Sequence, residues 1–211
     1  MLLEPLGECA FIMRDLPGPA PLVARVITQL CIPGVQEVVP AYETVGIYVD
    51  PFLFDIRLFE EQQLEMHSAA FVAKEHLIPV RYDGEDFYAA AESLKISHRD
   101  LALAHAGVPY DCKAIGFCPG FPYLGYLPET LSGLDRLPSP RSRVPAGSVA
   151  ITGRQTGIYT MERPGGWWLI GRTPLVLVDV DDGYFPIRPG DTVQFQSIDD
   201  QAFERLRGDR L

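Results

Sequence analysis

The spacing of apolar positions divides the chain into two unlike stretches. Residues 7–14 (GECAFIMR) read as a strand, and residues 21–30 (PLVARVITQL) as a helix. In that helix Pro21 suits the first turn, and Leu22, Val23, Val26, Ile27 and Leu30 fall on one face. Gly34 lies just past its end. Two further strands are predicted at 35–42 and 44–50, where Val45, Ile47 and Val49 alternate with other residues. Residues 56–75 show a weak helical stripe of Phe59, Met66, Ala70 and Ala73, and 76–83 (HLIPVRYD) read as another strand. Two short helices come next. Phe87, Ala90, Ala91 and Leu94 share one face of the first, and Ser97 with Asp100 forms a capping box for the second, which Gly107 ends.

Beyond residue 111 the helical period disappears. Short β-like runs recur as CKAIGF, SVAITG, WWLIGR, LVLVDV and DTVQFQSI, separated by turn-forming Pro-Gly, Pro-Gly-Gly and Asp-Asp-Gly. Such punctuation favours a barrel or sandwich. The tail FERLRGDRL reads as a frayed terminal helix. The expected fold class is therefore α+β. A small domain over 1–84, in the order β-α-β-β-α-β of a split βαβ or ferredoxin-like unit, precedes a helical connector over 85–110 that bridges to a β-barrel domain over 111–211.

Charge and cysteine usage narrow the function. A formal net charge of −10 speaks against a nucleic-acid ligand, whose affinity rests on clustered Lys and Arg. No window approaches the length of apolar sequence that a membrane helix needs, so no membrane role is expected. The first residues carry Glu4 and Glu8 and no basic leader, which is not the pattern of a secretory signal. Cys9, Cys31, Cys112 and Cys118 form no CxxC pair and are expected to be reduced thiols of a cytoplasmic protein, with no metal. His67, His76, His98 and His105 show no paired ligand spacing. His105 stands out by its closeness to the Gly- and Pro-rich region.

The candidate chemistry lies in four segments. In GFCPGFPYLGYLP (116–128), Gly120 and Gly125 can open backbone amides toward an anionic or carbonyl-bearing ligand, with the aromatics as its wall; each aromatic taken singly can equally be core. In SPRSRVPAGS (139–148), Arg141 and Arg143 point the same way on an extended chain and can clamp a carboxylate, or can be two solvated charges. GRQTGIY (153–159) places Gln155 and Thr156 between glycines, either to hydrogen-bond an amide or simply to satisfy a turn. In RPGGWWLIGRTP (163–174), Trp167 and Trp168 face opposite sides of a strand, so one is core and the other free to stack, and Arg172 is a third anion-binding candidate. Neither a phosphate-binding P-loop nor GxGxxG nor GxSxG occurs, and Ser148 has no evident base.

Taken together, GFCPGFPYLGYLP, PRSRVPAGSVAITGRQTGIY, PGGWWLIGRTPL and PGDTVQF resemble the family of allophanate hydrolase subunit 1, also known as the carboxyltransferase C subunit. The likeness is strongest over about 115–195 and continues through PLGECA, VDP and IPV upstream. The family includes the B subunit of 5-oxoprolinase, an inhibitor of a sporulation histidine kinase and a segment of urea carboxylase. The resemblance implies a small N-terminal α+β domain and a cyclophilin-like C-terminal barrel. It implies two partners: a subunit 2 homologue, which is the C component, and a lactam-utilisation protein, which is the A component. The expected function is that of the B component in an ATP-dependent complex, a hydrolase inactive as a lone chain, that opens 5-oxo-L-proline to L-glutamate. A kinase-inhibiting binding module and a carboxyltransferase half-site are the alternatives. ATP is the cofactor of the complex. On residue chemistry, Arg141, Arg143 or Arg172 would hold the substrate carboxylate. Backbone amides of Gly120 and Phe121 would face the lactam oxygen, Gln155 and Thr156 would orient the amide, and Tyr159 or Trp168 would cover the ring. The family often has Ile-Tyr-Pro where this chain has Ile158, Tyr159 and Thr160, a change expected to loosen that turn.

Overall fold

The computed structural model describes residues 2–60 and 72–211, in two compact units, 1–72 and 73–211. In the first unit β1 (Leu2–Pro5), β2 (Ala10–Arg14), β3 (Val35–Ala41) and β4 (Thr44–Val49) form an antiparallel sheet in the order β1-β2-β4-β3. Helix α1 (Ala20–Gln29) buries Val23 and Ile27 with Val45 and Ile47 of the sheet. Helix α2 covers Ile56–Glu60 and contributes Phe59 to this core. The predicted helical stripe beyond it is only partly visible. Met66 and Ala70, like His67, lie outside the described residues, and Ala73 is exposed and non-helical.

The ferredoxin-like layout is not what this sheet shows. Its fourth strand is Leu2–Pro5, whereas the strand expected at 76–83 belongs to the second unit. There β5 (Glu75–Val80) runs parallel to a strand more than a hundred residues later, with Ile78 and Val80 fully buried. Alternation reveals an inward face but not which sheet supplies the partner.

In the second unit, helices α3 (Phe87–Ser93) and α4 (His98–Ala106) are followed by β6 (Pro109–Ile115), β7 (Pro122–Gly125), β8 (Arg141–Val144), β9 (Ser148–Thr152), β10 (Gln155–Ile158), β11 (Arg163–Gly165), β12 (Trp168–Arg172), β13 (Thr192–Ser197) and α5 (Asp200–Arg205). Seven strands form one sheet in the order β12-β9-β10-β7-β6-β13-β5, and β8 pairs separately with β11. Arg81, just past β5, and Arg172, at the end of β12, exchange backbone hydrogen bonds of 2.9 Å each, so the sheet nearly closes into a barrel. The helices thought to connect two domains instead seal the barrel, burying Phe87, Ala90, Ala91 and Leu101 in its core. The Ser97 cap is present, its Oγ accepting from the Asp100 amide at 3.0 Å, while the Asp100 carboxylate takes the Ser97 hydroxyl at 2.7 Å instead of the backbone amide of a capping box. LVLVDV forms no ladder, only isolated bridges at Val176 and Asp179. The tail is pinned rather than frayed, since Arg210 pairs with Asp179 at 2.6 Å and also with Asp182. Each fully buried core side chain, such as Leu124 or Ile151, contributes about 1.5–3 kcal/mol from removal of apolar surface.

One polar chain runs through this core. Thr156 Oγ1 donates to the Ala150 carbonyl at 3.0 Å, so its contact with His105 Nε2 at 2.8 Å requires the imidazole to donate. His105 Nδ1 then accepts from the Tyr82 hydroxyl at 2.8 Å. The ring is fully buried, stacks on Phe195 at 4.5 Å, and is neutral because burial pushes its pKa down to about 3. An unfolded histidine takes up a proton near pH 6.5, which the folded ring refuses until about pH 3. Stability from this residue is therefore complete above pH 6.5 and is lost as pH falls toward 3. Between pH 7.5 and 5 we expect a loss of about 2 kcal/mol assignable to His105. Urea unfolding at the two pH values, compared with His105→Gln, should show a pH slope flatter by that amount in the variant. An equal slope in both proteins would contradict the buried neutral ring.

Candidate functional site

An aromatic cleft of about 230 Å³ opens on the outside of the barrel. The turn 116–121 supplies Phe117 and Phe121, β7 supplies Tyr123, the end of β10 leads to Tyr159, and Trp167 precedes β12. Phe121 is the hub, with its ring 5.0–5.5 Å from those of Phe117, Tyr123, Tyr159 and Trp167, all edge to face. Such pairs each contribute about 0.5–1.5 kcal/mol beyond area burial, so the walls are rigid. Gly165 is required by close approach, because a Cβ there would meet the Tyr159 hydroxyl oxygen at 2.1 Å. The Tyr159 hydroxyl is bonded to the Trp167 backbone, and burial raises its pKa above the ordinary phenol value.

The mouth differs from the walls. Phe117 is 57% exposed and has a left-handed backbone, with φ of 65°. The Cys118 amide bonds to the Gly116 carbonyl at 2.7 Å across it, which is the pattern of a γ-turn. A bulky residue with such a φ is a true outlier, and strained residues of this kind cluster at ligand clamps. Arg136 lines the same cleft, is exposed, and has no carboxylate partner among the described residues. Its charge is felt by Tyr123 and Tyr159, whose pKa values are raised mainly by burial and opposed by this guanidinium. A flat ring entering the cleft would thus meet aromatic walls and a cation at the rim.

The residues expected from the sequence fall in several places. Phe121 and Tyr159 form the cleft, and Gly120 adjoins it, but the Phe121 amide donates to the Cys118 carbonyl at 3.1 Å and is not free for an oxyanion. Arg141 and Arg143 form no joint clamp. Arg141 reaches Glu85 at 3.0 Å and Asp86 at 2.5 Å, while Arg143 pairs with Glu162 at 2.6 Å. Thr156 is sealed in the His105 chain and cannot meet a ligand. Gln155 sits in the ladder between Gly125 and Thr152, and it too has an interaction within the chain. Trp168 is tied down by its Nε1 donating to the Asp135 carbonyl at 2.7 Å and packs on the barrel core. The wall is instead its neighbour Trp167, which the alternation of the strand left as an equal choice. Arg172 lines a different cleft. Arg136 was missed, since a lone arginine in GLDRLPSP carries no spacing signal. Ser148 is buried and donates to the Pro145 carbonyl at 2.8 Å. The Thr160 side chain ties its segment to the 116–121 turn, donating to the Pro119 carbonyl at 2.7 Å.

Asp86 braces the cleft from behind. It is 8% exposed, accepts from the Leu169 amide at 2.7 Å, and pairs with Arg141 next to the cleft residue Pro140. The described residues contain no cluster suited to a metal ion and no helix long and apolar enough to cross a membrane. Removing one partner of a buried ion pair leaves the other uncompensated. Asp86→Ala should therefore cost about 3 kcal/mol in urea unfolding, and a cost below about 1 kcal/mol would show that the brace carries little.

Comparison with known proteins agrees with the motifs. The family model described as carboxyltransferase domain, subdomain C and D, matches residues 19–184. The chain is 32% identical to the B subunit of 5-oxoprolinase from Bacillus subtilis over 97% of this chain and 96% of that one. It is 37% identical to the protein of the same name from Haemophilus influenzae, covering 92% and 97%. The crystal structure of TTHA0988 superposes with a TM-score of 0.78 at 35% identity, covering 90% of this chain; this chain spans only 40% of the length of that one.

Proposed function

Because the chain belongs to the carboxyltransferase domain family, subdomains C and D, we propose that it serves as the B component of a 5-oxoprolinase. In this reading it helps to open 5-oxo-L-proline to L-glutamate in a complex with a subunit 2 homologue, the C component, and a lactam-utilisation protein, the A component. Relatives of that name over nearly the whole length favour this role over kinase inhibition or carboxyl transfer. ATP hydrolysis belongs to the complex, which works in the cytoplasm, and the lone chain is inactive. We read the nearly closed barrel as the cyclophilin-like architecture that the family resemblance implies.

The observation that carries the chemistry is the aromatic cleft with, at its mouth, an arginine that has no carboxylate partner among the described residues. The substrate is a small flat lactam bearing one carboxylate. Tyr159 and Trp167 hold the ring, and Arg136 takes the carboxylate through a two-pronged, charge-assisted contact. The cleft is smaller than the roughly 300–1,000 Å³ of drug-sized ligand sites, as a metabolite of this size requires. Phe117 at the rim shields the bound ring from water. Arg141 and Asp86 position the wall and do not touch substrate. Residues of the partners would have to supply the attacking water and the groups that act on the lactam oxygen, since the Phe121 amide is already engaged.

The test is co-expression with the two partner proteins, followed by an assay of ATP- and 5-oxoproline-dependent glutamate formation. Omitting this chain should abolish glutamate formation; a full rate without it would remove the proposal. Within the active complex, Arg136→Gln should raise KM for 5-oxoproline by roughly tenfold or more and change kcat less, because it removes binding common to ground and transition states. An unchanged KM would take the carboxylate away from Arg136.

A further inference from the structure

A second cleft, of about 300 Å³, lies elsewhere on the barrel unit and is not used by the function proposed above. Two of the motifs that carry the family resemblance meet there, Pro-Ala-Gly-Ser at 145–148 and Gly-Arg-Thr-Pro at 171–174. The first turns directly beneath the side chain of the second. Gly147 has a φ of 83°, and a Cβ there would lie 2.6 Å from the Thr173 carbonyl oxygen and 3.6 Å from Arg172 Cγ. Glycine is needed at this position both for its backbone and for the space above it.

The turn also fixes the arginine. Arg172 Nε donates to the Ala146 carbonyl at 3.2 Å, and its own backbone is held at both N–H and C=O by Arg81. The terminal Nη1 and Nη2 have no carboxylate partner among the described residues. By contrast, Arg81, Arg141, Arg143, Arg207 and Arg210 each have one. Arg207, held by Glu204, adds a second cation to the cleft, and Leu175, Leu177 and Val178 give it an apolar floor. A guanidinium anchored through Nε presents its remaining donors as a fixed fork, whose geometry matches two oxygens of one oxyanion. An apolar floor beside that fork suits an organic anion with a short hydrocarbon part.

We propose that this cleft is a binding site for a small organic oxyanion, a carboxylate or a phosphate ester, held by the Arg172 fork over the Gly147 turn. The site is separate from the aromatic cleft and stands whether or not that cleft binds 5-oxoproline. The common chemistry is a pair of oxygens on one centre, and the two sources differ in charge. A phosphate ester also gains from Arg207.

Two-dimensional amide NMR of the full chain tests this, with butyrate and glycerol 3-phosphate as probes at ionic strength held constant with sodium chloride. At least one probe should shift the amides of Gly147 and Thr173 saturably. Arg172→Gln, with an otherwise unchanged spectrum, should weaken that binding at least tenfold, and Arg172→Lys should weaken it too because the fork is lost. Arg136→Gln should leave these shifts as they are. Weakening by Arg207→Gln for the phosphate ester alone would support the added Arg207 contact; equal effects on both probes would overturn that contact. The proposal is overturned if neither probe saturates, if Arg172→Gln binds as the parent does, or if Arg136→Gln and not Arg172→Gln abolishes the shifts. Should Arg172→Gln fail to fold, the Arg172→Lys titration decides, and binding as tight as in the parent overturns the fork.

Discussion

Everything on the second unit hangs on the seam where its sheet closes. Arg81 and Arg172 exchange both backbone bonds, and the chain from there into α3 continues along the same strand. The Gly84 amide donates to the Ile170 carbonyl, the Asp86 amide to that of Leu169, and the Asp86 carboxylate takes the Leu169 amide in return. A Cβ at Gly84 would lie 2.3 Å from the Leu169 carbonyl oxygen, so the segment lies hard against β12. This seam leaves β12 with no free edge over most of its length. It thereby fixes Trp167 at one end of the strand and Arg172 at the other, and these are the wall of one cleft and the fork of the other.

Closure also dictates what the barrel can hold. With no open edge, an interior group must find its partner inside or go unsatisfied, at a cost of about 1–3 kcal/mol. The polar groups of Thr156, His105 and Tyr82 obey this as one directional chain ending on the Ala150 carbonyl. Each donor has one acceptor, so the tautomer is set by arithmetic rather than by pH. The interior is thus used for rigidity, and the clefts proposed as sites lie outside it, where Phe117 has a strained backbone and Arg136 an exposure that a packed core would not favour.

This division explains what the sequence revealed. Local signals were legible: the face of α1 apart from Leu30, which caps the helix and is exposed, the face of α3, the Ser97 cap and the β-rich second half all stand where spacing places them. The Gly- and Pro-dense motifs also mark the clefts. Pairing over long distance was not legible. Nothing in HLIPVRYD indicates that its neighbour in the sheet is TVQFQS, more than a hundred residues later, and so the strand was assigned to the wrong sheet. The same limit governed the site. Arg141 and Arg143 do lie two apart on a strand, but their carboxylates come from α3's start and from Glu162, which no local pattern reveals. Thr156 looked polar and available between two glycines, because its partner is 51 residues away.

The distribution of the arginines has a further consequence. A chain with net charge −10 repels small anions at long range, and at physiological salt that field fades over about 8 Å. Anion capture therefore cannot depend on steering and must be decided at contact. At contact, a guanidinium already shared with a carboxylate offers less than an unpaired one, since some of its donors and charge are taken. Arg81, Arg141 and Arg143 are spent in this way on structure. Arg136 and Arg172 are the arginines that both line a cleft and lack such a partner among the described residues. The carboxylates that take up neighbouring arginines are thus part of the selectivity of the surface. Other arginines, among them Arg99, Arg188 and Arg205, line neither cleft, so at Arg136 and Arg172 the shape of the adjoining cavity, and not charge alone, decides which anion stays.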